Sequence, residues 1–233
     1  YLSNMKILLP NVSIKVNENV YLKNPENSDL GRKILSSSID LIDDIGFEKF
    51  TFGKLAKLIK TSEASIYRYF DSKHKLLLYF ASWYWKWMEF SLVFKLANIE
   101  SADERLIRTI KFLTQKVEID DSFLHINEVK LNSIIINEVS KVYLTKDVDK
   151  ENKDGIYSAY KQLVSRVSDI ILEINPHYQY SHMMVSTVIE GAHSQHYFAE
   201  HLPRLTDVIE GEDSVTKFYT ELVFKAIKIE NDK

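Results

Sequence analysis

Only six glycines and four prolines interrupt 233 residues. Such a chain lacks the turn residues of a many-stranded architecture and is free to run as long helices. Apolar residues recur at helical spacing over most of its length. Ile34, Leu35, Ile39, Leu41, Ile42 and Ile45 make one stripe, with a cap at Ser28 or Asp29 and a left-handed stop at Gly46. Thr51 and Ser62 cap two short helices, the first bearing Leu55, Leu58 and Ile59, the second Ile66, Tyr69 and Phe70. Asp71 or Ser72 opens a fourth helix that runs to about Leu96. Five more helices are predicted at residues 102–116, 126–143, 154–174, 180–202 and 213–229, nine in all. The polar stretch 145–155 reads as an exposed loop, residues 10–29 as an irregular arm with a short extended piece around Val12 to Val16, and no strand is expected after residue 20. The predicted fold class is all-α.

The chain contains no cysteine, which excludes disulfides and Cys-ligated zinc or iron-sulfur centres. It is long enough to withdraw roughly 70–75% of its unfolded surface from water without such staples. Tyr1 to Asn4 precede Met5 and read as a tag remnant, with Met5 as the native start. The apolar run from Met5 to Leu9 stops at Pro10, too short for a secretory signal, so a cytoplasmic location is expected. Residues 76–97 are apolar enough to raise the question of a membrane span, but they include Lys86, Glu89 and Lys95. Each charge costs about 2.5–3.5 kcal/mol near a bilayer centre, so the segment is expected to be a buried helix.

Residues 51–70 read TFGKLAKLIKTSEASIYRYF: a short helix, a tight turn and a second short helix with a serine cap. That is the layout of a DNA-binding helix-turn-helix. Between residues 49 and 75 stand Lys49, Lys54, Lys57, Lys60, Arg68, Lys73 and Lys75 against Glu63 and Asp71 alone, a net +5 in a chain whose total is −3. Positive potential is therefore concentrated on one small module and the remainder is acidic. A recognition helix over residues 62–70 presents Glu63, Ala64, Ser65 and Arg68 toward base edges. Glu63 suits cytosine N4, the small Ala64 and Ser65 permit close approach to a thymine methyl, and Arg68 suits guanine or a phosphate. Lys54 and the Ser62 cap belong to the same candidate surface.

The set Gly46-Phe47, Thr51, Leu55-Ala56, Ser62, Tyr67-Arg68-Tyr69-Phe70 and Lys73 resembles the head of TetR-type transcriptional regulators, over about residues 29–78. The family usually has glycine where this chain has Lys60, and often a basic residue where it has Gly53. The resemblance implies a three-helix DNA-binding head at residues 28–75, following the tag remnant and arm at 1–27, and a helical dimerisation and ligand-binding bundle at 76–233. It also implies that Thr51, Tyr67, Tyr69 and Lys73 contact phosphates, for which hydroxyls and an ammonium group are chemically suited. The expected protein is a homodimeric, ligand-responsive regulator, a repressor, on a pseudo-palindromic operator. The alternative is an all-helical interaction or ligand-carrying protein whose helix-turn-helix no longer reads DNA.

In the remainder, Phe80, Trp83, Trp87, Phe90 and Phe94 form an aromatic stripe, with Trp85 facing away. The stripe either fills core or lines an effector pocket, for which Phe80, Trp83, Trp87, Phe112, His125 and Tyr160 are the candidate walls. Glu190, His193, His196 and Glu200 share one helix, but no second Glu-x-x-His accompanies them, and neither a metal nor a cofactor is expected. Small residues Ser186, Gly191, Ala192 and Ser194 permit close helix approach. Residues 180–202 and 213–229 are accordingly expected to build the dimer interface, with packing inside one chain as the alternative. No nucleophile elbow, phosphate loop, dinucleotide fingerprint or zinc-protease motif is present, and an enzyme is not expected.

Overall fold

A computed structural model describes residues 14–119, 123, 125–209 and 211–228. Among them are ten α-helices and three short 3₁₀ turns. The helices are α1 (Asp29–Ile45), α2 (Phe52–Ile59), α3 (Glu63–Tyr67), α4 (Lys73–Leu96), α5 (Ala102–Thr114), α6 (Glu128–Tyr143), α7 (Val148–Lys153), α8 (Ser158–Ile174), α9 (Ser181–His201) and α10 (Ser214–Lys228). The fold is all-α, with N-terminal helices followed by a helical bundle. The residues read as a tag remnant and the start of the expected extended piece fall outside the described residues. The rest of the arm carries 3₁₀ turns at Glu18–Val20 and Pro25–Asn27, each opened by an Asn whose side chain accepts a backbone N–H. Among the described residues no helix is long and apolar enough to cross a membrane.

The chain divides into two compact units, Tyr1–Trp87 with Val117–Ala159, and Met88–Lys116 with Tyr160–Lys233. In the first, α1 buries Ile34, Leu35, Ile39 and Ile42 against α2 and α6. Ser28 caps it by accepting from Gly31 N–H at 3.1 Å, and Gly46 ends it at φ +78°. Gly31 itself is obligatory, because a Cβ there would stand 2.1 Å from the Pro25 carbonyl oxygen. The first four turns of α4 are buried on every side, from Leu76 to Trp87 with Lys86 half-buried. That accounts for a helix apolar all round that is nonetheless core and not a span. Tyr84 donates to Asn132 at 2.7 Å and Trp85 to the Tyr143 hydroxyl at 2.5 Å, so the polar tips in this aromatic core are satisfied from α6.

The stretch 145–155, expected as exposed loop, contains α7. Its Glu151 is 4% exposed and accepts from the Tyr157 hydroxyl at 2.5 Å, with His74 Nε2 2.8 Å from its other oxygen. A six-residue helix without apolar periodicity escapes a pattern search, and what holds it is a buried carboxylate with partners from two other segments.

In the second unit α5 packs on α9 and α10. Thr114 and Thr216 share a hydroxyl hydrogen bond of 2.8 Å, and His196 Nε2 donates to the Thr114 carbonyl at 2.7 Å. At Gly191 α9 leaves room for the Tyr219 side chain of α10, since a Cβ there would stand 2.0 Å from the Tyr219 hydroxyl. At Gly191, packing within one chain is therefore what the small residue serves.

Candidate nucleic-acid interface

Two short helices meet at a turn whose geometry rests on Lys60. This residue takes the left-handed conformation (φ +57°, ψ +51°), and its N–H closes onto the carbonyl of Lys57 at 3.4 Å. The adjoining Thr61 N–H returns to Ala56 O at 2.9 Å. Lysine thus does the work usually given to glycine, against a steric preference of about 1–2 kcal/mol.

Thr51 caps α2 by accepting from Lys54 N–H at 3.2 Å, and the Lys54 ammonium donates to Lys49 O at 2.7 Å. Ser62 caps α3 by accepting from Ser65 N–H at 3.2 Å, while the two serine hydroxyls share a bond of 2.8 Å. Ile66, wholly buried, anchors α3, leaving Glu63, Ala64, Tyr67 and Arg68 exposed and Ser65 half-buried. Tyr67 is held edge-on against Phe52, with centroids 5.0 Å apart, and the residue remains 46% exposed. A Cβ on Gly53 would lie 3.2 Å from Glu63 Oε2, so the missing side chain at 53 makes room for that carboxylate beside the first turn of α2.

α3 is shorter than the recognition helix expected over 62–70. Tyr69 N–H and Phe70 N–H both turn back to the Ile66 carbonyl, at 2.8 and 3.2 Å, and the tightened turn carries Tyr69 and Phe70 into the core. Two of the side chains expected on phosphates have partners inside the head in this structure. Tyr69 is 3% exposed and its hydroxyl shares a 2.8 Å bond with Ser28, the cap of α1. Lys73 points its ammonium at three carbonyls, Phe47 O at 3.0 Å, Glu48 O at 3.3 Å and Phe50 O at 3.4 Å, with the Phe47 ring centroid 4.7 Å away. Both residues hold the head together. Thr51, Lys54, Ser62, Glu63, Ala64, Ser65, Tyr67 and Arg68 remain gathered on the two short helices and their caps.

Two acids of the head, Asp40 and Glu48, are paired by lysines of α6. Lys130 donates to Asp40 at 2.6 Å, and Lys141 reaches Glu48 at 3.1 Å and Glu138 at 2.5 Å. The Lys141 hydrogen bond lowers the pKa of Glu48, and the Asp40 hydrogen bond raises that of Lys130. One neighbour that sequence reading missed lies in the arm. Leu22 N–H donates to the Tyr69 carbonyl at 2.7 Å, and the Lys23 ammonium sits 5.1 Å over the Tyr69 ring. A contact across some fifty residues of sequence leaves no local signature.

The candidate pocket walls are divided between the two units. Phe80, Trp83 and Trp87 are buried in the first unit, with Trp83 stacked on Trp87 at 6.3 Å and edge-on to Phe123 at 5.2 Å. In that unit His125 Nε2 lies 2.8 Å from Glu26. Phe112 and Tyr160 belong to the second unit, where Lys95 lies over the Phe112 ring and Tyr160 donates to Glu190 at 2.9 Å. Two cavities, of about 290 Å³ beside Tyr21, Glu26 and Tyr79 and about 210 Å³ beside Gln195, Thr206 and Phe218, are lined by other residues. Burial raises the pKa of Glu190. His193 is pushed down to about 4, by burial first and by His196 second. Glu200 pairs with Lys116 at 3.6 Å, and among the described residues no cluster of three or more His, Asp or Glu is disposed to hold a metal ion.

Residues 34–80 match the family model described as bacterial regulatory proteins, tetR family. Among solved structures, a tetR-family regulatory protein from Rhodococcus RHA1 aligns at 11% identity over 88% of this chain and 100% of its own, with a TM-score of 0.58. The fold is that of a TetR-family regulator. Mycobacterium smegmatis AmtR aligns at 16% identity over 85% of this chain and 86% of its own, with a TM-score of 0.46. A protein described as superantigen pfit aligns at 16% over 97% and 96%, with a TM-score of 0.47. No curated protein matches the chain in sequence. The family model starts inside α1 and ends within α4, so it takes in the whole of α2 and α3 and leaves the arm outside it.

Proposed function

We propose that the chain is a DNA-binding transcriptional regulator that reads a pseudo-palindromic operator as a homodimer and releases it on binding a small molecule, acting as a repressor. The observation that carries this reading is the α2–α3 pair. Two capped helices joined by a left-handed turn present Thr51, Ser62, Ala64, Tyr67 and Arg68 to solvent, on the most basic stretch of an acidic chain. Capped helix starts, hydroxyls and a guanidinium suit phosphates and base edges, and the head's acids at Asp40 and Glu48 are engaged elsewhere.

Dimerisation is assigned to α9 and α10, which leave Met183, Phe218 and Leu222 exposed, 66%, 55% and 38% respectively. A two-fold pair of heads about 34–36 Å apart meets successive major-groove faces, which a single head does not. The effector acts by binding the DNA-incompetent state more tightly than the competent one, because only differential affinity moves such an equilibrium.

The test is selection of bound fragments from randomised and genomic DNA near physiological salt, with Tyr67→Ala and Arg68→Ala variants alongside. Enrichment of a pseudo-palindrome by the wild type and its loss in the variants is the expected result. Weak binding of every sequence, equal in wild type and variants, and persisting after refolding to strip any ligand, refutes the reading.

A further inference from the structure

The arm preceding α1 is pinned at several points to the rest of its own unit. Asn17 and Asn19 each donate a side-chain N–H to the Asp154 carbonyl at 3.0 Å, and the Lys75 ammonium donates to Asn19 O at 3.0 Å. Downstream, the Pro25–Asn27 turn sits on Gly31, where no Cβ fits, and the Arg32 guanidinium donates to Glu26 O at 2.5 Å. Between these anchors the chain bends at Leu22 and Lys23, where the Leu22 N–H to Tyr69 O bond described above ties its backbone to the head. Tyr69 lies two residues beyond the end of α3, so the bend stands on the flank of the recognition helix, on the stretch that also carries Arg68.

The side chains at the bend suit a nucleic-acid backbone. Leu22 is 65% exposed, and among the described residues Lys23 has no carboxylate within ion-pair distance; its ammonium lies over the Tyr69 ring. An unneutralised cation and an apolar side chain, presented by a fixed backbone beside a groove-reading helix, match the phosphate and the deoxyribose of a duplex. Fixing the bend in advance also spares the ordering cost that a floppy arm pays on binding.

Resting on the regulator reading, we propose that the Leu22–Lys23 bend is a second DNA contact, with Lys23 neutralising a phosphate just outside the recognition helix's footprint and Leu22 packing on the adjacent sugar. This contact adds affinity without reading sequence.

The full chain is titrated with its selected operator and with a random duplex of equal length, between 50 and 200 mM salt. Lys23→Met keeps the aliphatic stem over Tyr69 but removes the charge. It is expected to weaken both duplexes by a similar factor, about 3–10 near 100 mM salt, and to reduce the slope of log K against log salt by about 0.9. Lys23→Arg restores both affinity and slope, and Leu22→Ser weakens both duplexes with the slope unchanged. A merely structural Lys23 does not move the slope. Wild-type affinity and slope in Lys23→Met, while Arg68→Ala still loses the operator, overturns the second contact and leaves the regulator standing. A wild type that selects no operator overturns both.

Discussion

Lys73 offers a clean separation between holding the head together and touching DNA. Its ammonium spends its three donors on the carbonyls of Phe47, Glu48 and Phe50 and rests over the Phe47 ring, so it closes the turn between α1 and α2 from the start of α4. Lys73→Met preserves the stem and deletes the donors and the charge. Hydrogen bonds from a charged group are worth about 1.5–3 kcal/mol net, and a half-exposed cation–π contact adds about 0.5–1. Two of the three carbonyls are at 3.3 Å or beyond and the Glu48 contact is solvent-exposed, which places the loss at about 2–3 kcal/mol. For a chain of this size that lowers Tm by roughly 5–10 °C. Urea unfolding followed by circular dichroism measures the first quantity, and a salt titration of operator binding by the folded variant measures whether a phosphate contact is lost. The expected result is a lower urea midpoint with an unchanged salt slope. Unchanged stability with a slope reduced by about 0.9 refutes the reasoning and returns Lys73 to the phosphate backbone.

Other perturbations test single features. Lys60→Gly relieves the left-handed strain at the helix-turn-helix and is expected to raise stability by about 0.5–1 kcal/mol, after the entropy cost of glycine, in the same urea assay. Gly191→Ala drives a methyl into the Tyr219 hydroxyl and is expected to cost about 1–3 kcal/mol, most of it recovered in the double variant with Tyr219→Phe. His193 has a folded pKa near 4, below the usual histidine value of about 6.5, so the unfolded chain takes up a proton first as pH falls. Its contribution is complete above pH 6.5 and is lost as pH drops toward 4, by up to about 3 kcal/mol; His193→Gln is expected to flatten that part of the stability profile.

The elements legible in the sequence were those whose cause is local. Caps at Ser28, Thr51 and Ser62, the stop at Gly46 and the periodic stripe of α1 all act within one or two turns, and each is found where the spacing put it. The buried run of α4 was legible because three charges in an otherwise apolar stretch argue for core over membrane. What escaped was decided across sequence distance. Nothing in residues 145–155 announces α7, because the partner that buries Glu151 from outside its neighbourhood is His74, far upstream.

The same rule governs the candidate interface. A motif fixes residue types, and at Tyr67 and Arg68 type and exposure agree. At Tyr69 and Lys73 they part, since one hydroxyl meets the cap of α1 and one ammonium meets the carbonyls that follow it. A lysine ammonium within reach of the carbonyls beyond a helix end donates to them, and a tyrosine hydroxyl carried into the core takes a partner such as the Ser28 hydroxyl, because a buried polar group left unpaired costs about 1–3 kcal/mol. In this structure the α1 cap holds one, and the turn behind α1 another, of the four side chains expected on phosphates. On the proposal above the arm supplies a further cation at this place, where Lys23 lies over the ring of the very tyrosine that was drawn inward and Leu22 N–H meets its carbonyl.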